Sequence, residues 1–204
     1  MSSNTNDGRL TAISVRSIAA KNAFIRWATT LGDVASALNT AVNMLQREET
    51  GPAREHNLST RLEDIIAEFY ATVDEVERVR RLAGAISAQF PFDLHNAAAF
   101  DAVSAKLTEL GLCGDWSESN ALLPMVAEDL VTLISGASSS LIRYTSNLDE
   151  TEDTEQRRTM LTTLGTDLLG IRDELAARNE ADVIPAARLG VSAIQRAYSY
   201  RESA

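Results

Sequence analysis

The sequence predicts an all-α protein, an antiparallel bundle of four long helices with two shorter covering helices. Three observations predict it. Apolar residues recur in a 3-4 rhythm over Leu10–Leu45, which is helical spacing sustained for five heptads. The 204 residues contain only 10 Gly and 4 Pro, so little in the chain interrupts long helices. Gly51-Pro52 and Phe90-Pro91 fall between periodic runs, where they separate one helix from the next.

The first helix has Leu10, Ser17, Phe24, Leu31, Leu38 and Leu45 at heptad position a, and Ile13, Ala20, Trp27, Val34 and Ala41 at d. A flank at e, made of Ala28, Ala35 and Val42, widens the stripe beyond a two-stranded seam, which suits a helix packed on several neighbours. Its 36 residues at about 1.5 Å each span roughly 54 Å and set the length of the bundle. Glu48 to Pro52 reads as a charged breaker, and Met1–Gly8 as a disordered leader. Residues 9–204 then form a single domain, with a subdomain split near 112–118 as the alternative.

A capping-box pattern, Thr60 with Glu63, opens the second helix, whose stripe includes Leu62, Ile65, Ile66, Phe69, Val73, Val76, Val79, Ala83 and Ile86. It ends at Phe90, because the residue before a proline avoids the helical region. The short link to the first helix implies an antiparallel hairpin. Asp93 can cap a shorter third helix carrying Ala97, Phe100, Val103, Leu107 and Leu110. The fourth follows from Ser117, with Leu130, Leu133, Ile134, Ala137, Leu141 and Tyr144 on its stripe. Gly136 and Ser138–Ser140 interrupt its good helix formers, which predicts a bend or a close approach of a neighbouring helix, with a hinge as the alternative.

The acidic stretch 149–155 lacks the glycine and ligand order of a calcium loop and reads as a solvated connection. The fifth helix carries Leu161, Leu164, Leu168, Ile171 and Leu175, a strict heptad seam. Asp182 as cap and Pro185 in the first turn then open a sixth, short helix with Ala187, Val191, Ile194 and Tyr198 inward.

Charge narrows the function. The net charge is −10, yet residues 1–47 hold Arg9, Arg16, Lys21, Arg26 and Arg47 against Asp7 and Asp33, or +3, leaving −13 for the remainder. Nucleic acid is therefore not the expected partner. The single cysteine, Cys113, excludes an internal disulfide and reads as a small turn residue. His56 and His95 stand in no metal-binding or catalytic spacing, and no Gly-rich phosphate loop occurs, so no catalytic, cofactor-binding or metal-ligating residue is assigned and no cofactor is expected. Arg78, Arg80 and Arg81 are candidates for anion binding, with intrahelical pairing to Glu75 and Glu77 the more economical reading. The amino terminus lacks a signal-peptide design and no apolar run reaches membrane-spanning length. A cytoplasmic location is expected, with signal-independent export left open.

Two short resemblances bear on these expectations. Tyr70 with Asp74, and Tyr198 with Glu202, resemble the Tyr-x-x-x-acid pattern of type VII secretion substrates; the Trp-x-Gly turn that accompanies it is missing, since Ala28-Thr29 follow Trp27 and Ser117-Glu118 follow Trp116. Ser117–Leu141 and Leu164–Tyr198 resemble the helical domains of fungal hydrophobic-surface-binding and cell-wall mannoproteins, some of which hold fatty acyl chains. That resemblance covers under half of the chain and implies a carrier of an apolar ligand.

Long amphipathic helices without a site favour a non-enzymatic interaction protein, such as an adaptor, assembly factor or delivered effector, which presents a helix face to a protein partner or a second copy. Arg16, Lys21 and Arg26 on the one cationic helix are the expected partner-binding residues. Ile18, Ile25, Tyr70 and Ile142 lie beside or outside the main seams and supply spare apolar surface. An apolar-ligand carrier and a membrane-active helical protein are the alternative readings.

Overall fold

The computed structural model describes residues 4–51, 59–89, 101, 105, 109, 116–148, 152–186 and 188–189. Among them there are four long α-helices and no strand: α1 (Asn4–Glu49), α2 (Ser59–Gln89), α3 (Trp116–Thr145) and α4 (Glu152–Arg178). The chain is all-α. A π-helical turn, Asn179–Val183, continues α4. His56, His95 and Cys113 with its expected turn lie outside the described residues, as do the apolar positions of the third predicted helix and Ala187, Val191, Ile194 and Tyr198 of the sixth.

Two boundaries of α1 differ from those read in the sequence. The helix already runs from Asn4, so Asn4–Gly8 is helical backbone. Extending an existing helix by a turn avoids the cost of nucleation, and a single glycine does not stop it. At the other end Glu48 and Glu49 belong to the helix, which closes with the Thr50 and Gly51 amides donating to the Gln46 and Glu48 carbonyls.

The described residues fall into two compact units. The first draws on the stretches 1–29, 78–127 and 177–204, the second on 30–77 and 128–176. In the second unit Leu31, Val34, Leu38, Ala41 and Leu45 of α1 are all buried, as the heptad assignment requires. They share that core with Phe69 and Val76 of α2, Leu130, Ile134 and Leu141 of α3, and Leu161, Leu168 and Leu175 of α4. Helices α3 and α4 run antiparallel, because their contacts pair rising with falling numbers: Arg172 Nη1 donates to Ser135 Oγ at 3.0 Å and Thr162 Oγ1 to Thr145 Oγ1 at 3.1 Å.

The inward line of α4 is not the a/d seam expected. Leu164 and Ile171 are only half-buried, whereas Gly165 is buried. A Cβ on Gly165 would stand 2.9 Å from Ile142 Cγ1 and 3.6 Å from the Ser138 carbonyl. The bare glycine lets α3 come close, and this turns α4 so that the line 161, 165, 168, 175 faces the core. Ile142 is thus committed to packing and is not spare surface.

Alanine at Gly165 gains helix propensity of about 1 kcal/mol but must push a branched side chain near its root, at about 1–3 kcal/mol. Gly165→Ala is therefore expected to destabilise. At Gly84 and Gly170 nothing lies within 4 Å of the added methyl, and alanine is expected to stabilise by about 0.5–1 kcal/mol. Urea denaturation of the three variants reads the contrast, and an equal gain at all three would contradict the close approach.

Helix α3 passes through Gly136 and Ser138–Ser140 without a break. Ser138 is fully buried and donates to the Ile134 carbonyl at 2.7 Å, which satisfies its hydroxyl inside the helix. Ser140 Oγ donates to Glu68 Oε2 of α2 at 3.0 Å, and a Cβ on Gly136 would lie 3.4 Å from the same carboxylate. The small residues mark the place where α2 comes close.

The first unit has its own core: Ala20, Phe24 and Trp27 of α1, Val79, Leu82, Ala83 and Ile86 of α2, Ala127 of α3, and Val183 and Ala186. Ser17, the one polar residue in the heptad line of α1, is buried with them. Asp182 and Pro185 do not open a new helix, because the helical backbone continues through both. Proline lacks an N–H and its ring collides with the carbonyl four residues earlier. The coil widens just ahead of it, with the Ile184 amide donating to the Asn179 carbonyl five residues back, and this accommodates the ring without ending the helix.

Candidate interaction face

Helix α1 carries a second stripe, pointing away from the core. At about 100° per residue, Val15, Ile18 and Ile25 fall within a sector of about 80° on the side opposite Phe24 and Leu31. They are 60%, 44% and 42% exposed. Asn22, also exposed, lies between Ile18 and Ile25 on the same sector. Three branched aliphatics aligned on one solvent-facing stripe differ from the scattered exposed apolar residues of an ordinary surface. Leu133 and Met160 in the second unit are of the scattered kind.

The cations expected to bind a partner are not on one face. A spacing of five residues turns each about 140° from the last, so Arg16, Lys21 and Arg26 point in three directions. Lys21, half-buried, lies about 40° beyond Ile25 on one edge of the apolar sector, and Arg26, exposed, about 20° beyond Val15 on the other. Arg16 is exposed but lies about 100° from Val15, outside the stripe. Arg26 Nη2 also holds Asp182 Oδ2 at 2.9 Å, with both side chains partly in solvent, a pair worth under about 1 kcal/mol. Lys21 and Arg26 thus edge an apolar strip.

Sequence reading named Ile18 and Ile25 and missed Val15. The signal is the spacing i, i+3, i+10 of branched residues, which is hard to see because Val15 stands next to Arg16 in a polar stretch. Tyr70 is exposed as expected, with its hydroxyl accepting from the Gln46 side-chain amide. Arg78, Arg80 and Arg81 all have interaction partners, so none is a free anion site.

Among its described residues the second unit contains a buried charged cluster. Glu48, 4% exposed near the end of α1, accepts from the Tyr144 hydroxyl at 2.8 Å and pairs with Arg157 Nη1 at 3.4 Å. Burial pushes the Tyr144 hydroxyl well above the usual tyrosine range; the hydrogen bond to Glu48 and its negative charge push the same way, and Arg157 opposes them. A phenol so held keeps its proton. The cluster ties the carboxyl-terminal ends of α1 and α3 to the start of α4, and Arg157 offsets an acid placed at the unfavourable end of a helix dipole.

Among the described residues no group of three His, Cys, Asp or Glu side chains is placed to hold a metal ion, and no helix is long and apolar enough to cross a membrane. No family model matches the sequence, and neither a curated protein nor a solved structure is significantly similar to it.

Proposed function

We propose that this chain is a non-catalytic helical interaction protein, an adaptor, assembly factor or delivered effector, that binds a protein partner through the outer face of α1. The observation that carries this reading is the exposed Val15–Ile18–Ile25 strip on a helix whose opposite face is fully committed to the core. Exposed branched aliphatics in register are disfavoured on a surface that only meets water, and they suit a partner helix that adds its own apolar line. Lys21 and Arg26 at the edges favour a partner with acidic residues flanking that line, and Arg16 would extend the contact toward the amino-terminal end. Residues 1–47 carry +3 in a chain of −10, which steers such a partner to this helix. A second copy would have to offer its acidic remainder rather than its own α1, because two cationic strips repel. In the same reading the protein works in the cytoplasm.

A photo-crosslinking residue at Asn22, inside the strip, tests the proposal in cells that make the protein. It is expected to give one saturable protein adduct, whereas the same probe at Glu63, exposed on α2, gives none. Indistinguishable adducts from the two positions would count against the α1 face.

A further inference from the structure

One stretch of the second unit complements the α1 strip in charge. At about 100° per residue, Asp129, Leu133, Gly136 and Ser140 of α3 fall within a sector of about 60°. Leu133 is 40% exposed, and Asp129, one turn earlier, is exposed as well. At the other end of this sector the exposed Glu68 of α2 lies over the small residues. Its Oε2 accepts from Ser140 Oγ at 3.0 Å, and its Oε1 would stand 3.4 Å from a Cβ on Gly136. Leu133 by itself is an ordinary exposed side chain, but here two carboxylates bracket it, about 10 Å apart along α3. Lys21 and Arg26 edge the α1 strip with about 7.5 Å between them along α1. A single chain thus bears both halves of a contact: an apolar strip edged by cations, and an apolar residue bracketed by acids.

We propose that the partner of the α1 strip is a second copy of this chain, seated on α3 at Leu133 between Glu68 and Asp129. This rests on the α1 face being the binding surface, and it names what that face binds. Ile18 and Ile25 cover Leu133, while Lys21 and Arg26 reach the two carboxylates. Charge also excludes pairing of like faces: strip on strip sets cation against cation, and seat on seat sets acid against acid. The contact is heterologous, strip to seat, so association runs head to tail and either closes into a ring or continues as a chain of copies. Glu63 lies about 140° around α2 from Glu68, off the seat, which keeps a crosslinking probe there silent.

The test uses the purified full chain in sedimentation velocity. Wild type is expected to associate with rising concentration, and about 1 M salt to weaken the association. Ile18→Glu/Ile25→Glu removes the strip, Asp129→Lys/Leu133→Gln removes the seat, and each variant alone is expected to stay monomeric. Mixed, the two are expected to form a 1:1 dimer and nothing larger, since one intact strip meets one intact seat. A wild-type protein that stays monomeric overturns the proposal, as do folded variants that associate alone or fail to pair when mixed. The Asn22 crosslink on an otherwise wild-type chain needs neither variant to fold. An adduct of twice the chain mass, joined to the stretch 129–140, is expected, and a doubled mass joined elsewhere overturns the seat. An adduct of any other mass leaves α1 as a binding face but removes the second copy as its partner, whereas no adduct at all removes both.

Discussion

Phe24→Ala is expected to lower the unfolding free energy by about 3–5 kcal/mol, while Ile25→Ser, one residue further, changes it by less than about 1 kcal/mol. The two side chains leave adjacent positions of α1 and differ by about 100° in direction. Phe24 is buried in the core of the first unit, so truncation removes apolar burial and leaves a cavity that the surrounding helices fill only in part. Ile25 stands 42% exposed on the outer strip, and serine there gives up little burial. Urea titration followed by helical circular dichroism measures both. Comparable losses would mean that the outer strip is packed against something in the free protein.

The second large effect concerns the buried cluster of Glu48, Tyr144 and Arg157. Tyr144→Phe removes the hydroxyl that donates to a carboxylate almost excluded from water, and is expected to cost about 1–3 kcal/mol at pH 7. Arg157 remains to pair with Glu48, which is why the loss stays short of that for an isolated buried charge. The pH dependence has a definite sign. The folded protein holds the Tyr144 proton more tightly than the unfolded chain, whose tyrosines titrate near 10. The stability from this group is therefore complete below about pH 10 and falls as pH rises above it. Unfolding free energies measured from pH 8 to 11 should decline more steeply for wild type than for Tyr144→Phe. Equal slopes would contradict the bond to Glu48.

Much of the fold was legible because heptad spacing translates directly into burial. The inward positions of α1 from Ser17 to Leu45, the α2 stripe from Leu62 to Ile86 and the α3 line through Leu130, Ile134 and Leu141 are buried as their periodicity implies. Legibility failed where a local rule met a tertiary contact. Pro185 reads as a helix start in one dimension, but the backbone can widen into a π-helical turn and carry the proline inside a continuous helix. Gly165 has no side chain and so no place in a hydrophobic pattern, yet it decides which line of α4 faces inward. Glu48 looked like part of a breaker, because nothing in its neighbourhood predicts Tyr144 and Arg157, 96 and 109 positions away. The exposed strip of α1 was half legible. Ile18 and Ile25 stood out as apolar residues off the seam, while the grouping of Arg16, Lys21 and Arg26 neglected the turn of the helix between positions five apart.

In the proposed function the outer face of α1 binds a protein partner and contributes little to the fold. Its most direct test is a paired measurement on Ile18→Glu/Ile25→Glu: thermal unfolding of the purified protein, and yield of the Asn22 crosslink in cells. A midpoint within a few degrees of wild type is expected, together with loss of the adduct. An adduct formed at the wild-type level by the stable double variant would contradict it, as would a collapse of the midpoint in a protein that still crosslinks.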